Sequence, residues 1–485
     1  MSLLDAKTWS GKVNISGWTV AEGGTGAVVE PATGDILEHV GSAAAEDVAR
    51  AARRGAEVQS AWAQTLYTDR AAVLRRAGDL FIQHTDEIQS WLIREAGSVS
   101  GKAAFETSVA AQECYEAAAL ISRPFGELLP SALPRLSMVR RVPAGVVGVI
   151  APFNVPLVLA IRSVAPALAL GNSVVLKPDI RTAVGGGVSI MRVFEEAGLP
   201  EGVLSLVPGG AQAGASLVAD PHVRIISFTG STAAGRKVGE AAGRYLKRAH
   251  LELGGNSALI VLPDADLERA SSTAAWGSFF HQGQVCMSTG RHLVHYSIAD
   301  EYAERLAWKA EQLSVGDPAK EQVALGPVID AGQRDRIHSL VRASVDGGAR
   351  LAAGGTYEDL FYRPTVLAGV KDSTPAYAEE VFGPVAPIRT FVDEAEAVTL
   401  ATASEYGLSL GILTRDVMKG LDLAERIPTG LVHINDQTVN DEAIAPFGGV
   451  SASGTGSRFG GGANIEAFTE TRWITARAEE AVYPF

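Results

Sequence analysis

Cysteine is nearly absent from this chain: 485 residues contain two, Cys114 and Cys286. Two cysteines cannot build a disulfide framework, so the fold must be held by its core, and such usage suits a reducing compartment. Net positive charge is missing as well. The formal charge is −13 at pH 7 and the pI about 5.3, which leaves no overall basic field to draw a phosphate backbone or an anionic membrane. Neither nucleic acid nor membrane is expected as a partner. Met1 to Ser10 lacks a basic segment followed by an apolar one, so no signal peptide is visible and the cytoplasm is the expected location. Uninterrupted apolar runs are also lacking. The most apolar stretch, Val142 to Ile161, is broken by Pro143, Pro152, Asn154 and Pro156, and reads as a buried strand, a turn and a helix start. The nine histidines are scattered and neither cysteine has a Cys-x-x-Cys partner, so no metal site is expected.

What is present is material for a large core. With 47% hydrophobic and 20% charged residues, a chain of this length predicts two or three domains. After a short extended lead-in, the first hundred-odd residues read as helical. Val48, Ala51, Ala52, Gly55, Val58 and Trp62 share one face over Ala45 to Trp62, and a second helix follows with Thr68 as its expected N-cap. Between Ala144 and Leu262 come short aliphatic runs separated by helix-length segments: Val146–Ile150, Val174–Leu176, Leu204–Val207, Ile225–Phe228 and Ala258–Leu262. That alternation predicts a parallel sheet covered on both faces, where nucleotides commonly bind. A second strand-and-helix series runs on to about Phe447, with a helix over Ala299 to Gln312 and a strand over Gly407 to Leu413. Arg135–Arg141 and Arg472–Ala476 alternate in character outside both series and are expected to pair with each other or with another subunit.

Several short segments carry candidate chemistry. Cys286 follows Gln282-Gly283-Gln284-Val285. A lone cysteine is more often a small buried hydrophobe; a nucleophilic one needs partial exposure and a thiolate stabilised by a helix N-terminus, a cation or a base. Glu252, in Leu251-Glu252-Leu253-Gly254-Gly255, is either a carboxylate whose pKa is raised by burial into the range of a general base, or the partner of a buried arginine. Asn154, flanked by Pro152-Phe153 and Val155-Pro156, offers an amide donor to an oxyanion or serves as a turn residue. Lys177, before Pro178, bonds ribose hydroxyls or a phosphate, or is simply solvated. Phe228-Thr229-Gly230-Ser231-Thr232 follows a strand and opens a helix, the setting in which backbone N–H groups hold a pyrophosphate, although it is not the Gly-x-Gly-x-x-Gly fingerprint.

Taken in order, these segments, with Glu379-Glu380-Val381-Phe382-Gly383-Pro384 and Pro446-Phe447-Gly448-Gly449, resemble the aldehyde dehydrogenase superfamily from about Val28 to Thr475. The resemblance implies an α/β fold: a Rossmann-like cofactor domain and a catalytic domain, both doubly wound on parallel sheets, plus a small β domain for oligomerisation. The implied boundaries are 1–123 with 143–252 for NAD(P) binding, 253–450 for catalysis, and 124–142 with 451–485 as oligomerisation arm and tail. Residue by residue it implies Cys286 as nucleophile, Glu252 as general base, and Asn154 with the Cys286 N–H as oxyanion donors. Lys177 and Glu380 would hold the two riboses, with Phe382 beside the nicotinamide ribose. Gly210, Gly214, Phe228, Gly230, Ser231 and Leu253 would line the rest of the dinucleotide path, flanked by Ile150, Pro152 and Phe153. The aldehyde tunnel would be lined by Val155, Leu159, Arg162, Ile444 and Phe447.

These positions imply oxidation of an aldehyde to its acid with NAD or NADP by a homodimer or homotetramer. Glu252 favours hydrolysis over transfer to coenzyme A. The chain looks most like the bacterial benzaldehyde dehydrogenase branch, so an aromatic aldehyde is expected. Arg162 leaves a semialdehyde open, its guanidinium pairing either a substrate carboxylate or an internal Asp441 or Glu442. A non-catalytic dinucleotide-binding protein of the same fold is the remote alternative. Phe153 stands where many relatives have tryptophan. Ile180 stands where NAD-preferring relatives often have glutamate, which leaves dual cofactor use open, with Arg181 as an additional phosphate ligand.

Overall fold

The Val146–Ile150 strand is buried at all five positions, as a strand covered on both faces must be, and the rest of the first sheet is arranged around it. A computed structural model describes residues 2–485. On one side of Val146–Ile150 lie Ser173–Lys177 and Leu204–Leu206, and on the other Val223–Thr229 and Arg248–Glu252, all parallel. Two short antiparallel strands, Lys12–Asn14 and Trp18–Val20, finish the far edge of this seven-stranded sheet. Because the chain leaves the central strand in one direction and later returns on the other side, strand order reverses beside it. That reversal opens a crevice at the strands' carboxyl ends. Ile150 is in register with Lys177 and Phe228, and Thr229 with Glu252, so four expected site residues end adjacent strands.

A second seven-stranded sheet runs in the order Arg350–Ala353, Thr365–Ala368, Val385–Phe391, Thr289–His295, Ser257–Val261, Ser409–Leu413, Leu431–Ile434. All its pairings are parallel except that of the first edge strand. Ser257–Val261 therefore does not belong to the first series, where the expectation of an Ala258–Leu262 strand had put it. The first sheet's fifth parallel strand is Arg248–Glu252, whose Arg-Ala-His-Leu-Glu carries no aliphatic run because one face meets polar groups. The four-residue link Leu253–Asn256 thus steps from one sheet to the other.

Leu136–Pro143 pairs antiparallel with Thr469–Ala476 over eight residues, with Gly126–Leu128 on its other side. Arg135–Arg141 and Arg472–Ala476 do meet within one chain. The helical N-terminal region is confirmed by Ala45–Gln64, which buries Val48, Ala51, Ala52, Gly55 and Trp62. The next helix, Tyr67–Gln83, is not capped by Thr68: the Leu66 carbonyl accepts from the Asp69 and Arg70 N–H groups, placing Thr68 inside the first turn. The lead-in is also longer than expected, with four strands before residue 42. Ala299–Gln312 forms as expected, while Gly407–Leu413 divides into Tyr406–Gly407 and Ser409–Leu413. No helix among the described residues is long and apolar enough to cross a membrane.

Candidate active site

Asn154 lies in the turn between the central strand and the Pro156–Ala169 helix, which starts with proline at a position where no N–H is needed. The turn is clamped from both sides. Lys102, buried in the Ser100–Leu120 helix, donates from Nζ to the Asn154 carbonyl at 2.7 Å and to Ser98 Oγ at 3.0 Å. It also pairs with Glu106, whose second oxygen accepts the Leu157 N–H at 3.0 Å. One ion pair thereby fixes the carbonyl before, and the N–H after, Val155-Pro156. The Asn154 amide itself donates to the Gln284 carbonyl at 2.7 Å, which ties the turn to the cysteine loop.

That loop is held in an unusual backbone. His281, Gln282 and Gly283 have consecutive φ values of 49°, 56° and 64°. For the two non-glycine residues this costs about 1–3 kcal/mol each unless the surroundings enforce it. The Gln282 amide donates to the Gly97 and Pro327 carbonyls at 3.0 and 2.6 Å, and Gln284 Oε1 accepts the Ile329 N–H at 3.0 Å. Gly283 has no room for a side chain, since a Cβ would lie 2.2 Å from the Gly383 carbonyl. The two amides and the glycine before Cys286 are thus the fastenings of its loop. The Cys286 backbone N–H makes no hydrogen bond among the described residues and is free to donate.

Cys286 and Asn154 lie in the wall of a cavity of about 750 Å³, with Val155, Leu159, Arg162 and Phe447 among its other lining residues. Of the expected tunnel residues only Ile444 is elsewhere. Bonds from Ala445 N–H to the Glu442 carbonyl and from Gly461 N–H to the Ala443 carbonyl turn its segment so that Ala443 is buried and Ile444 faces out. Arg162 is buried and donates to both Asp441 oxygens, at 2.7 and 3.0 Å, with Glu113 3.9 Å away and the Phe447 ring 4.4 Å beneath its guanidinium carbon. Its charge is already matched, and a substrate carboxylate would have to displace Asp441.

The surroundings of the Cys286 thiol favour its protonated form. Burial, reinforced by the nearby Glu380 and Glu252 charges, pushes it up to about 12, against the opposing pull of Arg162. Glu252 is buried, and neither carboxylate oxygen has a hydrogen-bond partner. Burial pushes it up to about 8, with Arg162 drawing it down. Such a pair combines a thiol that must lose its proton to react with a carboxylate poised to take protons near neutral pH.

The expected dinucleotide residues gather in the crevice. Lys177 is nearly buried, its ammonium makes no hydrogen bond among the described residues, and burial lowers its pKa. A Cβ on Gly214 would stand 3.8 Å from Ile150 and 3.9 Å from Lys177, while Gly210 opens the helix that carries Gly214. Ser231 caps the Thr232–Arg244 helix by accepting from Ala234 N–H, leaving the first-turn N–H groups of Thr232 and Ala233 available to an anion. The Phe228 ring lies against Gly230, and Leu253 packs on Gly235. Across the crevice Glu380 Oε1 accepts the Gly255 N–H at 2.9 Å, and burial pushes its carboxyl up to about 7. Phe382, at φ 53°, sets its ring edge-on to Phe153, 5.9 Å between centroids, next to Pro152 in the same turn. An unpaired lysine, free helix N–H groups and an opposing carboxylate fit a dinucleotide with its phosphates and riboses. Arg181, however, is engaged. It binds Asp179 through Nε and Nη2 at 3.0 and 2.8 Å and Asp330 at 2.6 Å, and covers the Phe153 ring at 4.3 Å, so it is not a free phosphate ligand.

Lys102 and Glu106 were not legible as site residues. Lys-x-x-x-Glu on a helix reads as an ordinary surface pair, and only the Ala103-Ala104-Phe105 between the two hints at burial.

Residues 18–474 match the Aldehyde dehydrogenase family. The chain is 71% identical to a vanillin dehydrogenase of Amycolatopsis sp., covering 100% of both chains, and 52% identical to the benzaldehyde dehydrogenase [NAD(+)] of Pseudomonas putida, covering 98% of both. Among solved structures, a salicylaldehyde dehydrogenase from Pseudomonas putida G7 complexed with salicylaldehyde superposes with a TM-score of 0.94 at 36% identity, over 98% of this chain and 99% of that one. A match of this extent, with relatives aligned end to end, means that the chain belongs to the aldehyde dehydrogenase family.

Proposed function

We propose that this protein oxidises aromatic aldehydes to their carboxylic acids through a thioester on Cys286, with NAD as the expected hydride acceptor. The observation that carries this reading is a largely apolar cavity that ends on a cysteine and an asparagine amide, beside a buried carboxylate without a partner. The names of the relatives, vanillin, benzaldehyde and salicylaldehyde dehydrogenases, support the aromatic class.

In this mechanism Glu252 takes the Cys286 proton and the thiolate adds to the aldehyde carbon. The Asn154 amide and the Cys286 N–H donate to the resulting oxyanion, supporting negative charge where it develops. Lys177, Glu380 and Phe382, with Ser231 and the glycines at 210, 214 and 230, would hold the dinucleotide, which when bound supplies the hydride acceptor. The thioester left on Cys286 is then hydrolysed by water that Glu252 deprotonates. Ile180 brings no charge to repel a 2′-phosphate, so NADP stays open to the site, though without help from Arg181. Residues 1–123 with 143–252 form the cofactor unit and 253–450 the catalytic unit. The paired strands of 124–142 and 451–485 are the proposed contact through which copies form a dimer or tetramer. Cytoplasmic location follows from the same reading.

A semialdehyde substrate is disfavoured because Asp441 already occupies Arg162. Initial rates of nicotinamide reduction with benzaldehyde, vanillin and succinic semialdehyde test this. The aromatic aldehydes should lead; a lead by the semialdehyde would reassign Arg162 to the substrate.

A further inference from the structure

The cavity is far larger than one aromatic ring requires. About 150 Å³ suffices to hold benzene, whereas this cavity measures about 750 Å³, a volume within the range of about 300–1,000 Å³ that accommodates drug-sized ligands. Exposure of the lining orders it from floor to mouth. Asn154, Leu159, Arg162 and Phe447 are buried around the partly buried Cys286. Phe105, Trp276 and Trp308 line the same space yet are 41%, 53% and 59% exposed.

Three large aromatic side chains converge on this opening from three different helices, Ser100–Leu120, Leu267–Phe279 and Ala299–Gln312. Scattered exposed apolar residues need no explanation, but a cluster of aromatics at the mouth of a functional cavity does. The cluster is also ordered. Trp276 stacks on Phe280 at 4.8 Å with planes 15° apart, presenting a flat two-ring platform. Trp308 lies beneath the Lys309 ammonium at 5.8 Å, and that ammonium is anchored by Glu268 at 2.6 Å. Such a platform offers its faces to a further ring in offset-stacked or edge-on contact, with little side-chain entropy left to lose.

We infer that the site accepts two-ring aromatic aldehydes, the reacting ring seated among the buried residues near Cys286 and the distal ring held between Trp276 and Trp308 at the mouth. The inference rests on the aldehyde-oxidising reading and deepens it by defining the substrate class. The continuity of the mouth with the Cys286 floor is what assigns the aromatic patch to the far end of a substrate, not to a second copy of the chain.

The test is kcat/KM for para-phenylbenzaldehyde and for benzaldehyde, measured side by side on the wild-type protein, Trp276→Ala and Trp308→Ala. Both tryptophans are exposed, so truncation spares the core. The wild-type protein should use the two-ring aldehyde at least as well as benzaldehyde, and the ratio of the two constants should fall about tenfold in each variant, the effect of one lost aromatic contact. Benzaldehyde turnover with rejection of the two-ring aldehyde, as a mouth covered by another subunit would give, overturns the inference alone; so does a ratio unchanged in both variants. Absence of turnover with benzaldehyde and every other aldehyde would instead overturn the aldehyde reading, and the inference with it.

Discussion

Arg162 binds Asp441 through both carboxylate oxygens, at 2.7 and 3.0 Å, and the pair lines the cavity floor together with Phe447. The pair joins the helix that follows the Asn154 turn to the loop before Phe447, and its cation also opposes the burial that raises Glu252 and Cys286. Asp441→Asn leaves a buried guanidinium whose nearest carboxylate is Glu113 at 3.9 Å. Breaking a buried pair by removing one partner costs about 3–5 kcal/mol. Urea unfolding should therefore show a stability loss of that order, softened by Glu113.

Lys102 is a positioning residue. Lys102→Met deprives the Asn154 carbonyl and Glu106 of their partner, so the oxyanion donor loses its alignment; kcat should fall by about tenfold to a hundredfold, a fraction of what losing an oxyanion donor outright costs, with KM little changed. Lys102→Arg, which keeps the charge, should recover part of kcat. A loss confined to thermal stability would reduce Lys102 to a packing role.

Glu252 gives the pH dependence its sign. Its carboxyl has an ordinary value of 4.5 and stands at about 8 in the folded protein. Folding thus favours the protonated form: the stability it contributes is complete below pH 4.5 and is lost as pH rises through about 8. Activity runs the other way, because the base must be ionised, so kcat should climb through pH 8 when hydrolysis limits it. Glu252→Gln should flatten both profiles and leave the folded protein more stable than the wild type at high pH.

Dinucleotide binding is separable from chemistry. Lys177→Ala and Glu380→Gln should each weaken NAD binding by about tenfold, the scale of one hydrogen bond to a charged group; fluorescence titration reads this. Cys286→Ala should bind NAD like the wild type while turning over nothing.

Legibility from sequence followed how local the signal was. Val146–Ile150 and Ala299–Gln312 carry their periodicity within themselves and form where expected. Arg248–Glu252 was not among the strands expected of the first series because its polar residues satisfy partners far along the chain, His250 at the Ala467 carbonyl and Arg248 at the Thr469 carbonyl. The motif residues Cys286, Glu252, Asn154 and Lys177 stand out in sequence because each lies within three residues of a glycine or proline. Their supports do not: Lys102 and Glu106 lie in the middle of a long helix, and their burial depends on what packs against it. Arg162 was ambiguous for the same reason, since its choice of Asp441 over a substrate is a tertiary fact, and Ile444 was displaced by two loop hydrogen bonds that no spacing announces.

The most direct measurement is intact-mass analysis of wild-type and Glu252→Gln protein quenched during turnover of benzaldehyde with NAD. The account predicts a benzoyl adduct, mapped to Cys286 by peptide analysis, that is transient in the wild-type protein and that in Glu252→Gln forms more slowly, for want of the base that takes the thiol proton, but persists once formed. Nicotinamide reduction with no acyl adduct at Cys286 in either protein would contradict it.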